Sequence, residues 1–118
     1  MAIDVTTPQP GKFGWIINAT SADASGCEEL KAAPAAGLSI YLDHLTINSG
    51  AAITITVGEG ETAGAVTTAL IGPVSFAANQ SMQWDFLNGG MVLTAATSLT
   101  VDASGAGDIC IFASGRIQ

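Results

Sequence analysis

The sequence predicts an all-β fold, an antiparallel sandwich or small barrel of about eight strands. Three observations lead there. Apolar residues alternate with small polar ones, most cleanly where Ile53, Ile55 and Val57 interleave with Thr54 and Thr56. Turn signals recur at short intervals, at Asn48-Ser49-Gly50, Gly72-Pro73 and Asn88-Gly89-Gly90. No long stretch has apolar residues at helical spacing. At 118 residues the chain can fill one core. The expected organisation is an extended arm over 1–12 and one sandwich domain over 13–118.

The arm is expected because Pro8, Pro10 and Gly11 disfavour helix and central strand alike. Phe13 to Ile17 is a short strand candidate, and 19–26 is a turn-rich loop. Ser25 and Gly26 before Glu28-Glu29 resemble a helix start, but Pro34 and Gly37 limit it to one turn, so the segment is helical or extended. Leu38 to Asn48 is the clearest long strand. Leu38, Ile40 and Leu42 share one phase, Leu45 and Ile47 the other, which predicts a bulge or a change of sheet at Asp43-His44. That strand and Ala52 to Val57 form an expected hairpin. Residues 58–64 are an expected flexible loop, and Gly72-Pro73 ends the next strand. Two strands then flank a polar corner at 77–80. Each buries alternate side chains in one core, with Met82, Trp84 and Phe86 in phase. Met91 to Leu93, Leu99 to Val101 and Ile109 to Ala113 complete the set. Asp102 to Asp108 is a turn and Arg116 lies in a tail.

Charge excludes several function classes. Charged residues make up only 11% of the chain, against about 25% for typical domains. Such a surface is expected to be covered in part by a partner. The net charge is −7, and Lys12, Lys31 and Arg116 are the only Lys or Arg residues. Three scattered cations cannot track a phosphate backbone, so nucleic acid is excluded, as is an anionic membrane surface. No apolar run has the length of a signal peptide or a membrane span, so the chain is expected to be soluble.

No catalytic constellation emerges. His44 is the only histidine, lies beside Asp43, and is expected to be a structural or surface residue. There is no Gly-x-Ser-x-Gly elbow. The carboxylate pairs Glu28/Glu29, Glu59/Glu61 and Asp102/Asp108 would need a cleft for glycoside chemistry. The Asp102–Asp108 loop lacks the distal Glu of an EF-hand and reads as a turn. Cys110 sits in an apolar run and is expected to be a buried thiol, and whether it bridges to Cys27 is left open. No metal and no cofactor are expected, and the chain reads as a non-enzyme. Trp84 belongs with the core. Trp15, after the proline-rich arm, is the better interface candidate, together with Pro8, Pro10, Phe13 and Ile17.

Three stretches carry a resemblance: LSIYLDHLTINSGAAITITVGEG, LIGPVSFAANQSMQWDF and GGMVLTAATSLTVDASGAGDICIFASG. Over about residues 38–115 the chain is similar to small decoration, or cement, proteins of tailed bacteriophage heads. The resemblance implies a jelly-roll-like β-sandwich on the outer surface of the capsid in the virion. It implies binding to the major capsid protein, self-association as a homotrimer, and no catalytic residues. The alternative is a carbohydrate-binding sandwich of a tail fibre or host-recognition protein. It would expose Trp15, Trp84 or Tyr41 together on one face.

Overall fold

The computed structural model describes residues 3–6, 14–22, 26–86 and 89–118. Among them are ten strands and no helix. They are β1 (Asp4–Thr6), β2 (Gly14–Ser21), β3 (Gly26–Lys31), β4 (Ile40–Ser49), β5 (Thr54–Thr62), β6 (Ala65–Ser75), β7 (Gln80–Asp85), β8 (Met91–Val92), β9 (Leu99–Ala103) and β10 (Ile109–Ile117).

They form two antiparallel sheets. The six-stranded sheet runs β1-β2-β10-β4-β7, with β8 paired to β4, and the four-stranded sheet runs β3-β9-β5-β6. The expected all-β sandwich is thus the observed architecture. The core lies between the sheets. Ile17, Ile40, Leu42, Leu45, Ile47 and Ile111 project into it from one side, and Ile55, Val57, Leu99 and Val101 from the other. Alternation is the cause: each strand has one face to bury, and period-2 side chains bury it only against another sheet.

The expected bulge is present. His44 is opposite Ser114 and Leu42 is opposite Gly115, so Asp43 is the extra residue in β4. Leu42 and Leu45 therefore both face the core despite their opposite phase.

Several local expectations are corrected. β4 and β5 do not form a hairpin, because they lie in different sheets. The Ser49 hydroxyl donates to Ala51 O at 2.7 Å and Gly50 N–H to Asp108 O at 2.7 Å, and the chain crosses from one sheet to the other. Two strands with fully apolar faces bury more by stacking than by lying side by side. For the same reason the 104–108 turn joins β9 to β10 across the sandwich. The 58–64 segment is strand up to Thr62, paired with β6 and β9. β6 passes through Gly72 and a cis Pro73 rather than ending there, with Gly72 at φ +97°. β2 extends to Ser21, and of the two conformations expected for the Glu28-Glu29 segment the extended one is observed, as β3. β10 continues to Ile117, so Arg116 is in a strand and not in a tail. Within the expected arm, Asp4–Thr6 pairs with β2 as an edge strand, while Pro8, Pro10 and Phe13 lie outside the described residues.

The corner at 76–79 is as expected. Ala77 N–H donates to Gln80 Oε1 at 2.7 Å, Asn79 adopts φ 60°, and Phe76 is buried. Met82, Trp84 and Phe86 are half-buried against the core.

Ile47→Ala should lower stability by about 2–5 kcal/mol, as a buried truncation that leaves a cavity. The neighbouring outward Thr46→Ala should change it by about 0.5 kcal/mol or less. Urea midpoints of the two variants check this. Equal shifts would mean that the core does not lie on the Ile47 face.

Candidate functional site

The outward side of the six-stranded sheet is the most distinctive surface. Strand register places its side chains in rows, because residues opposite each other in antiparallel strands share a face. One row runs Thr6, Asn18, Phe112, Thr46, Gln83 across five strands. The next runs Asp4, Thr20, Cys110, Asn48, Ser81. Asn48 Nδ2 donates to Ser81 Oγ at 2.6 Å, and the Cys110 thiol lies 3.5 Å from Asn18 Oδ1. The middle of this plane is amide and hydroxyl, with no Asp, Glu, Lys, Arg or His in the Phe112 row. Phe112 stands at its centre, 44% exposed.

Charge gathers at one end of the plane, next to the bulge. There a depression of about 440 Å³ is lined by Trp15, Asp43, His44, Asp85, Ser114 and Arg116, among others. Each ionisable side chain in it has a polar partner. Arg116 Nη1 donates to both Asp43 carboxylate oxygens at 3.2 and 3.4 Å, Nη2 donates to Gly89 O, and Nε donates to Gln118 Oε1 at 3.3 Å. The guanidinium also sits 4.8 Å from the centre of the Tyr41 ring. His44 Nδ1 contacts Asp85 Oδ1. Ser114 is opposite His44 in register, yet His44 engages Asp85 and no hydrogen bond joins it to Ser114. The nucleophile–base contact of a hydrolytic triad is not made. Gly115 allows this closeness: a Cβ there would collide with Tyr41 O and with the Trp15 ring.

A smaller recess of about 150 Å³ holds Glu59 with Thr67, Thr68, Thr94 and Thr97. Glu59 is 8% exposed. Its Oε2 accepts Thr94 N–H at 2.8 Å and its Oε1 accepts Thr94 Oγ1 at 3.1 Å. The carboxylate ties the β8–β9 connection to β5. Among the described residues no group of three His, Cys, Asp or Glu could hold a metal.

Trp15 and Ile17, expected at an interface, are core residues: Trp15 is 4% exposed and its indole N–H donates to Arg116 O at 3.2 Å. They lie on the inward phase of β2. Cys110, expected to be buried, is exposed, because Ile109, Ile111 and Ala113 take the inward phase of β10. Cys27 and Cys110 are both free thiols and lie in opposite sheets. Phe112 and Arg116 were missed as surface residues. The signal was there: continuing the Ile109 alternation puts Cys110, Phe112, Ser114 and Arg116 on one outward line.

No protein-family model, no curated protein and no solved structure matches this chain.

Two outcomes test this description. Burial, reinforced by the negative charges of Glu61, Asp102 and Glu28, raises the Cys27 pKa despite a hydrogen bond with Thr100. Less of Cys27 is therefore thiolate at any pH below that pKa, and the exposed Cys110 should react first with a thiol reagent at neutral pH. A Cys110→Ser variant should lack the fast phase. Glu59→Ala should cost about 1–3 kcal/mol in urea unfolding by leaving Thr94 N–H without its acceptor. An unchanged midpoint would show that the recess is not held by Glu59.

Proposed function

We propose that this chain is a non-enzymatic structural protein of a virion, a capsid decoration protein that docks on the outer surface of a tailed-phage head. There it would stabilise contacts between major capsid protein subunits. The observation that carries this reading is the uncharged outward row Thr6–Asn18–Phe112–Thr46–Gln83. A plane of amides and hydroxyls around one aromatic can meet a protein surface without stripping water from an ion, and charge is depleted at the core of protein interfaces. Phe112 is the anchor such an interface needs. The rigid two-sheet scaffold keeps the plane preformed, so docking orders little. Many such contacts repeated over a lattice add through avidity. The matching sequence resemblance points the same way.

The glycan-binding alternative expects Trp15, Trp84 or Tyr41 exposed together on one face. Trp15 is buried, Trp84 faces the core, and Tyr41 lies under Arg116. That leaves the alternative with Phe112 alone.

The test is co-sedimentation with empty heads of the phage whose genome encodes the chain. The wild type should bind saturably. Phe112→Lys should fold normally and bind about 10-fold or more weakly, as expected for an anchor residue. Failure of the wild type to sediment with the heads would refute the reading.

A further inference from the structure

Among the described residues, five strands lie at sheet edges: β1, β7 and β8 in one sheet, β3 and β6 in the other. An open edge offers its N–H and C=O groups to any passing strand, and proteins usually blunt it. Four of these edges are blunted, β8 because it is only two residues long. β1 is three residues long. β3 carries Glu28, Glu29 and Lys31. β6 slips register against β5 near Leu70 and again at Gly72-Pro73. β7, with the sequence QSMQWD, has no proline, no lysine and no register slip against β4. Its one ionisable side chain, Asp85, already faces His44.

The same flank is incompletely closed. β3 packs against β2, and β6 and β7 are edge strands at the other ends of their two sheets. Met82, Trp84 and Phe86 on that flank are only half-buried, as are Leu70 and Val74 of β6. Two copies at −7 each repel, and they approach most easily where charge is missing. From Thr62 to Trp84 there is no ionisable side chain at all.

We propose that β7 is the pairing edge of a two-fold homodimer, with Gln80–Asp85 of two copies antiparallel. Outward residues must oppose outward residues. The register centred on Gln83 sets Gln83 opposite the partner's Gln83 and Ser81 opposite the partner's Asp85. It also sets Met82 opposite the partner's Trp84, so the half-buried apolar residues cover one another. The two Asp85 carboxylates lie at opposite ends of the paired segment. Gln83 also ends the uncharged outward row, so pairing continues that row into the partner and doubles its length. A two-fold contact of one strand with itself closes at two copies, not at the three the resemblance implies. The dimer does not depend on what the plane binds.

Light scattering from about 1 to about 100 µM tests this, with mass action setting the dimer fraction. The expected mass at the upper end is twice 11.8 kDa. Gln83→Lys places two cations face to face across the axis and should raise the dissociation constant about 10-fold or more, with an unchanged circular dichroism spectrum. Gln83→Cys in a Cys110→Ser background should give a disulfide-linked dimer on mild oxidation, while Thr46→Cys on the interior strand should not. A monomer at the highest concentration, a trimer, or a dimer indifferent to Gln83→Lys would overturn the proposal. Head binding of the same proteins is read separately, so failure of the dimer and failure of the capsid reading are distinguishable.

Discussion

The structure depends on the extra residue at Asp43. β4 is the strand on which the larger sheet turns, since β10 pairs along one side of it and β7 and β8 share the other. Its apolar residues come in two phases, Ile40 and Leu42, then Leu45 and Ile47, and all four are buried. An unbroken strand would send one pair to solvent, exposing roughly 1.5–3 kcal/mol of transfer free energy for each side chain. The bulge recovers both pairs. It also divides the strand: Phe86 N–H donates to Asp43 O at 3.0 Å as β7 ends, and β8 pairs with β4 beyond it.

What the bulge exposes must be balanced. Asp43 is turned outward on the far side of the core, where Arg116 meets it, with the Tyr41 ring close to the guanidinium. The pair is partly exposed, so its net contribution is small, on the order of 1 kcal/mol or less. Its larger effect is on where charge sits. With Arg116 beside Asp43 and His44 beside Asp85, these four side chains gather at one end of the outward plane, while Asp4 and Cys110 lie in the row on the other side of Phe112. The centre around Phe112 stays neutral.

A neutral plane and an unblunted edge meet at β7. The proposed capsid docking uses the plane and the proposed dimer uses the edge, so the two share Gln83 without competing for the same atoms. Backbone groups serve the strand pairing, and outward side chains serve the face. The same scarcity of charge that makes a lone domain less soluble makes both contacts inexpensive in desolvation.

The sequence by itself determined the fold class, because period-2 alternation between glycine, asparagine and proline turns has no other compact solution. It also located the irregularity in β4, since a phase change between Leu42 and Leu45 must be absorbed where it occurs, by a bulge or by a change of sheet; the pairing with β10 made it a bulge. The polar corner at 77–80 and the core phase of Met82, Trp84 and Phe86 were legible for the same local reason. Tertiary structure alone decided which strands are neighbours. Ser49-Gly50 reads as a hairpin turn, but whether a turn joins strands side by side or across the core depends on which faces are left to bury. That is settled by β10, which is far away in sequence and takes the place beside β4 that β5 would have filled. Trp15 went inward and Cys110 outward because residues flanking them on β2 and β10 fixed each strand's phase. Glu59 could be read as a loop residue because nothing local shows that Thr94, 35 positions on, returns to hydrogen-bond it. The outward plane has the same origin: Asn18, Phe112, Thr46 and Gln83 are scattered through the chain, and only sheet register brings them into one row.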